Sequence, residues 1–160
     1  MSRSVPMSRA SARPRRKSSL APVLLVVAAV IRRSDGRFLM ARRPPGRSMA
    51  GLWEFPGGRV ESDEFAEEAL ARELFEELGV AIAVGSPLTF AWHRELGREE
   101  ILLLFYEASL VLGEPCGREG QDVAWFSPSE MARLSLPPAD RPLMEMLIRQ
   151  QGGTNPVRDS

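Results

Sequence analysis

Residues 58–80 read GRVESDEFAEEALARELFEELGV, and the spacing of their charged and glycine positions decides how the rest of the chain is read. From Glu64 to Leu78 there is no Pro or Gly, and Ala, Leu, Glu and Arg dominate, so the run predicts a helix. Gly79 stands just past the last apolar position, where a left-handed stop belongs. On that helix Glu73, Glu76 and Glu77 share an arc of about 100°, because i, i+3 and i+4 lie on one face. Leu70, Leu74 and Leu78 form the neighbouring stripe, which must face a core, so the carboxylates border the buried side. Three like charges on adjacent turns repel one another and gain nothing without a cation. Oxygen-only ligands of this kind suit Mg²⁺, with Mn²⁺ as a substitute. A bare E-x-x-E-E is most often a solvated helix face. What sets this one apart is Arg72 in front of it and a Gly-Gly pair with Glu64 upstream.

Written as a pattern, the segment is G-x5-E-x7-R-E-L-x-E-E-x-G-V, and it resembles the Nudix box. That box is the signature of Mg²⁺-dependent hydrolases that cut nucleoside diphosphates linked to another group X. The resemblance implies an α/β (α+β) fold, an α/β/α sandwich around a mixed β-sheet. It implies that Glu73, Glu76 and Glu77 bind the metal together with the carbonyl of Gly57. It further implies that Arg72 and Glu64 form a supporting pair that orients the acidic helix. Phe55-Pro56-Gly57-Gly58 ends an apolar strand in two residues that tolerate positive φ, which would let main-chain groups approach a metal or phosphate. Asp63 stands where relatives usually carry glycine, so a position needing positive φ would carry a small stability cost.

Segments outside the box narrow the resemblance to the MutT branch, the enzymes that hydrolyse 8-oxo-dGTP. These are Ala41-Arg42-Arg43, Met49 to Gly58, Gly113-Glu114-Pro115, Gly117 to Gln121, and Pro137 to Pro142. Together they cover about residues 23–148. The resemblance implies that Glu119 is a further metal-site acid, that Arg43 contacts the nucleotide, and that Asp140 takes the base-reading position. Phe55 is a candidate substrate contact beside them. Asp140 is itself a departure, since relatives often have asparagine there. An ionised carboxylate only accepts hydrogen bonds, so it would take the N7–H of 8-oxoguanine and be repelled by the bare N7 of guanine. It could donate to O6 only if protonated. Asp140 could equally cap the terminal helix that opens at Arg141-Pro142-Leu143, and the two roles are compatible.

At 160 residues and 44% hydrophobic, the chain suits one small domain over 21–151, between tails at 1–20 and 152–160. Residues 1–20 hold six basic residues and no acid, which leaves fifteen basic and twenty-one acidic residues in the remainder. An acidic body with a cation-binding cluster argues against duplex DNA as substrate, and no stable nucleic-acid complex is expected. The Ser- and Arg-rich start lacks apolar residues to pack and is expected to be disordered, as is the segment from Gly152 onward. Followed by the apolar run Val23–Ile31, the start imitates a secretory or twin-arginine signal or a transit peptide. That run is too short to span a bilayer and coincides with the first core strand that the resemblance implies. A cytoplasmic, monomeric protein with a flexible tail and no membrane contact is therefore expected, with Met7 as an alternative start.

Elsewhere the chain reads as mixed strands and helices. Val23–Ile31 and Phe38–Ala41 flank Ser34-Asp35-Gly36 as a hairpin. Leu52–Phe55 is a short strand entering the box. Val80–Val84 and Leu88–Arg94 flank a Gly85-Ser86-Pro87 turn. Ile101–Leu112 is the longest strand, and Asp122–Phe126 the last. Ser127 caps a short helix with Pro128 at its first position, and Arg141–Gln150 forms the terminal helix. His93 reads as structural or exposed, Cys116 as an inert single thiol, and the three tryptophans mainly as core. The activity expected from the resemblance is a Mg²⁺-dependent pyrophosphohydrolase of nucleoside triphosphates. It would turn 8-oxo-dGTP into 8-oxo-dGMP and pyrophosphate and so clear mutagenic nucleotides from the pool. Glu73, Glu76 and Glu119 remain alternative proton acceptors. Other readings are a Nudix enzyme for ADP-ribose, CTP or a dinucleoside polyphosphate, and a ligand-binding regulator on the same fold.

Overall fold

The structure, a computed structural model, describes residues 22–94 and 99–152. The expectations for residues 1–20 and for the chain beyond Gly152 lie outside these residues. Seven strands and three helices follow in the order β1 (Val23–Ile31), β2 (Phe38–Arg42), β3 (Trp53–Glu54), β4 (Gly57–Arg59), α1 (Ala66–Leu78), β5 (Ala81–His93), β6 (Glu100–Leu112), β7 (Asp122–Phe126), α2 (Pro128–Met131) and α3 (Arg141–Gly152) among the described residues.

The strands form two sheets. A four-stranded sheet runs β4-β1-β6-β5, and a three-stranded one runs β3-β2-β7. β1 pairs parallel with β6 from Val23↔Glu100 to Ile31↔Ala108 and antiparallel with β4, so the larger sheet is mixed. Side chains alternate across β1 as the two-residue strand period requires. Val27, Ala29 and Ile31 point to α1, where they meet Leu70, Leu74 and Leu78. Ala28 and Val30 point the other way, into a second core with Met131 of α2 and Leu143 and Leu147 of α3. Helices on both faces of a mixed sheet give the sandwich expected from sequence. Each fully buried leucine of α1 contributes about 1.5–3 kcal/mol.

α1 begins two residues later than the composition suggested. Glu64 stays in the preceding loop, and Phe65 occupies the cap position, its main-chain N–H donating to Glu68 Oε2 at 2.9 Å. Gly79 ends the helix at φ 70°, with its N–H on the Phe75 carbonyl at 3.0 Å. Ser127 caps α2, and Pro128 occupies the first turn, as expected.

Several expectations fail. β1 and β2 do reverse direction about Gly36, but they are not a hairpin; one isolated Arg32↔Phe38 bridge joins them before each enters a different sheet. Gly85-Ser86-Pro87 is not a turn between strands. β5 runs straight through it, absorbing the irregularity as shifts in register between Val84 and Thr89 against β6. β5 lies at the sheet edge, where bulges and proline are tolerated because one side of the strand has no partner. Asp63 does not adopt positive φ, since Met49 is the one non-glycine residue that does among those described, so the expected cost at Asp63 has no basis. Gly152 completes α3 and does not begin a tail. Trp92 is 54% exposed and belongs to no core. No helix among the described residues is long and apolar enough to cross a membrane.

Candidate active site

A cavity of about 470 Å³ lies where the two sheets meet; Gly57, Gly58, Glu77 and Glu119 line one part, and Arg43 and Asp140 another. The acidic part is built by the end of β4 and the second half of α1. Gly57 and Gly58 are needed there for space, not for positive φ, which neither adopts. A Cβ on Gly57 would overlap the Val27 carbonyl oxygen of β1, and a Cβ on Gly58 would overlap the Glu73 carboxyl group. The acidic helix thus rests its carboxylate directly on the glycine backbone.

Arg72 holds that arrangement. Its Nε and Nη2 donate to Glu64 at 2.9 and 2.6 Å, its Nη1 to Glu73 at 2.9 Å and Glu76 at 3.3 Å, and Nη2 also to the Arg59 carbonyl at 3.0 Å. Glu64 accepts a further bond from the Glu61 N–H at 2.8 Å. With Arg72 the largest cause and that N–H the next, the Glu64 carboxyl is held down at about 2. The supporting pair implied by resemblance is therefore present as a two-pronged ion pair.

Glu77 has the opposite surroundings. Burial pushes its carboxyl up to about 8, and the charges of Glu73, Glu119 and Glu54 push the same way, against Arg47. Glu73 is also raised by burial, with Arg72 pulling it back. Glu76 is half exposed, pairs with Arg72 at 3.3 Å, and its charge also pushes the Glu73 carboxyl up. Among the described residues, no three acidic, histidine or cysteine side chains form a closed coordination set. Even so, the chemistry fits a hard divalent cation. Several carboxylates act on one another across a half-buried space, Glu73 is seated on the Gly58 backbone, and the Gly57 main chain lines the same wall. Glu73, Glu76, Glu77 and Glu119 with Gly57 are the residues that would hold Mg²⁺ or Mn²⁺.

The far part of the cavity holds Asp140, 4% exposed. Its Oδ2 is buried without a hydrogen-bond partner. Burial, and next the charge of Glu54, push its carboxyl up to about 8, against the Phe55 main-chain N–H and Arg43. Burial thus favours the neutral form of Asp140 in the ligand-free protein, in which it would offer a base a donor as well as an acceptor. No capping bond from its side chain is seen; only its main-chain carbonyl serves α3, accepting from Met144 N–H at 3.1 Å. Arg43 stands beside it, paired with Glu54 at 2.8 Å and donating to the Ser48 carbonyl at 3.0 Å. Phe55 is buried, its ring edge-on to Phe105 with centroids 5.9 Å apart. It reaches Asp140 through its backbone.

The structure adds residues that the sequence reading passed over. Glu54 sits between the acidic cluster and Asp140, and its charge acts on both. The signal was a lone acid between Trp53 and Phe55 in an apolar strand. Arg47 lines the cavity from the β2–β3 loop, and Gln121 lines it from the loop before β7. His93 also lines it, half-buried.

The sequence pattern of the NUDIX domain matches residues 23–147. A CTP pyrophosphohydrolase of Escherichia coli is 44% identical over 123 residues, covering 77% of this chain and 90% of that protein. An 8-oxo-dGTP diphosphatase of Haemophilus influenzae is 34% identical over 128 residues, covering 80% and 93%. The crystal structure of a MutT protein from Methanosarcina mazei superposes with a TM-score of 0.72 at 28% identity, covering 82% and 96%.

Proposed function

The chain belongs to the NUDIX family, on its MutT-like branch, and on that premise we propose that this Nudix pyrophosphohydrolase acts on nucleoside triphosphates and reads the base with Asp140 as a neutral carboxylic acid. The observation that carries the reading is the buried Oδ2 of Asp140, an unmatched polar atom in the cavity that also holds the acidic cluster. A protonated carboxyl presents a donor beside an acceptor. That pair complements the N7–H and O6 edge of 8-oxoguanine, whereas ordinary guanine offers two acceptors there. A site whose buried polar groups stay unpaired with the wrong base discriminates strongly. The first substrate is therefore 8-oxo-dGTP, and the role is removal of oxidised nucleotides before DNA synthesis.

The chain's own groups divide the work. Arg43, which lines the cavity and pairs with Glu54 at 2.8 Å, would meet the nucleotide. Arg72 fixes Glu73 against Gly58, so the acidic wall is in place before substrate arrives. A site carboxylate takes the proton of a water whose oxygen forms a bond to phosphorus. The bridging P–O bond breaks, and its electrons leave with the departing phosphate group, which gives the monophosphate and pyrophosphate. Mg²⁺, when bound, supplies neutralisation of the phosphate and carboxylate charge.

A second reading has its own support. The N3 and N4-amino edge of cytosine is also an acceptor beside a donor, and the relative at 44% identity is a CTP pyrophosphohydrolase. Steady-state kinetics with Mg²⁺ on 8-oxo-dGTP, dGTP, CTP and ADP-ribose separates the readings. The first predicts kcat/KM for 8-oxo-dGTP at least about 100-fold above dGTP. Preference for CTP establishes the second, and preference for ADP-ribose overturns both.

A further inference from the structure

The loop between β6 and β7 brings Glu119 to the cavity, and it does so by closing the end of α1. The last carbonyls of a helix have no partner within it. Here the Leu78 carbonyl accepts from the Cys116 N–H at 3.1 Å and the Glu77 carbonyl from the Arg118 N–H at 2.9 Å. Gln121 makes the remaining link with both ends of one amide. Its Oε1 accepts from the Glu119 N–H at 2.7 Å, and its Nε2 donates to the Glu77 carbonyl at 3.3 Å. A main-chain N–H can only donate and a carbonyl can only accept, so the amide has one orientation that satisfies both. The loop is tight around this link, since a Cβ on Gly117 would overlap the Gln121 carbonyl oxygen.

From this geometry we infer that Gln121 is a positioning residue: its side-chain amide sets Glu119 against Glu77 and thereby the cation affinity of the site. The inference rests on the reading that Glu77 and Glu119 both hold the cation. Gln121 offers no charge and needs no contact with substrate for this role. Its effect travels through the place it gives the Glu119 main chain, as groups behind metal ligands commonly act, at about 10–100-fold in affinity or activity. Gln121→Met keeps length and removes both hydrogen bonds. Gln121→Glu keeps the acceptor for Glu119 and, when ionised, turns an acceptor against the Glu77 carbonyl.

The test titrates Mn²⁺ into the substrate-free protein by electron paramagnetic resonance, with kcat, KM and melting temperature measured alongside. Gln121→Met is expected to weaken Mn²⁺ binding and lower kcat by about 10-fold each, with KM for the nucleotide within about twofold. Gln121→Glu should do the same, and it stands in if the methionine variant fails to fold. In a Glu119→Gln background, Gln121→Met should weaken Mn²⁺ no further, because the residue being positioned is already lost. An equal loss in both backgrounds, or unchanged Mn²⁺ affinity while Glu119→Gln weakens it, overturns the role of Gln121 alone. If Glu119→Gln leaves Mn²⁺ affinity unchanged, Glu119 lies outside the cation site, and the site reading falls together with the inference.

Discussion

Arg72 meets Glu64 with two nitrogens on two oxygens, Nη2 to Oε1 at 2.6 Å and Nε to Oε2 at 2.9 Å, across eight residues of chain. The pair joins the loop before α1 to the middle of that helix. The same guanidinium then has Nη1 to spend on Glu73 and Glu76. The loop acid thus sets the orientation of the helix acids.

Glu64→Gln should therefore weaken divalent cation binding by about 10-fold without touching the cation site directly. The Glu64 carboxyl lies at about 2 in the folded protein and nearer 4.5 unfolded, so the folded state prefers the ionised form. Its stabilisation is complete above the unfolded value and fades as pH falls toward 2. Melting temperatures of both proteins from pH 6 to pH 2.5 should differ at the upper end and converge at the lower. A gap that stays constant over that range would show that the charge of Glu64 is not what matters.

Glu77 poses the reverse case. It is half-buried among like charges that outweigh Arg47, which stabilises nothing in the cation-free protein. Glu77→Gln should raise the melting temperature in EDTA at pH 9, by about 2–4 °C for roughly 1 kcal/mol in a protein of this size. The same change should lower turnover by two orders of magnitude or more. Calorimetry in EDTA and a rate assay with Mg²⁺ read the two effects, and a destabilised variant would contradict the repulsion argument.

For Asp140, asparagine is a fixed copy of the neutral acid, with a donor beside an acceptor and no titration. The carboxyl is raised to about 8, so the wild-type protein should keep its kcat/KM on 8-oxo-dGTP below that pH and lose it above as the donor ionises. Asp140→Asn should match the wild type at pH 7 and exceed it at pH 9. Asp140→Ala should lose about 1–3 kcal/mol of discrimination against dGTP at pH 7. Parallel pH profiles for wild type and Asp140→Asn would remove the neutral-acid reading.

How far the sequence could be read varied with the range of the contacts involved. α1 was legible because its stripe of leucines, its acids and Gly79 all lie within one local period. The cap at Ser127 and the extent of β7 were legible for the same reason. Pairing was not. β1 and β2 are apolar runs about a turn, as hairpin strands are, yet β1 finds its partners at Gly57–Arg59 and Glu100–Ala108. The break read at Gly85-Ser86-Pro87 is real as a local preference, but an edge strand accommodates it. In the site, Arg43, Phe55, Gly57, Glu77, Glu119 and Asp140 do line one cavity, but their surroundings were not legible. The two glycines answer to crowding by Val27 and Glu73, and the Asp140 carboxyl is pushed up by burial, which depends on parts of the chain remote in sequence.

Gly58→Ala tests the crowding argument. The added methyl would overlap the Glu73 carboxyl group, while its backbone φ is one that alanine tolerates. The variant should fold with a modest loss of stability, and Glu73 should be displaced and turnover lowered by at least about 10-fold. A crystal structure with Glu73 unmoved and full activity would refute the close seating.

The cavity lies between two sheets whose strands, among the described residues, share one isolated bridge at Arg32 and Phe38. Gly57 and Gly58 belong to one sheet, and Arg42 and Glu54 to the other. The sheets are nonetheless bound into one body, since Ala28 and Val30 of β1 share a core with Phe38 and Met40 of β2, and Ile31 shares the other with Leu39. Close-packed interiors yield little, so a molecule entering the cavity would meet walls already fixed by the packing beneath them.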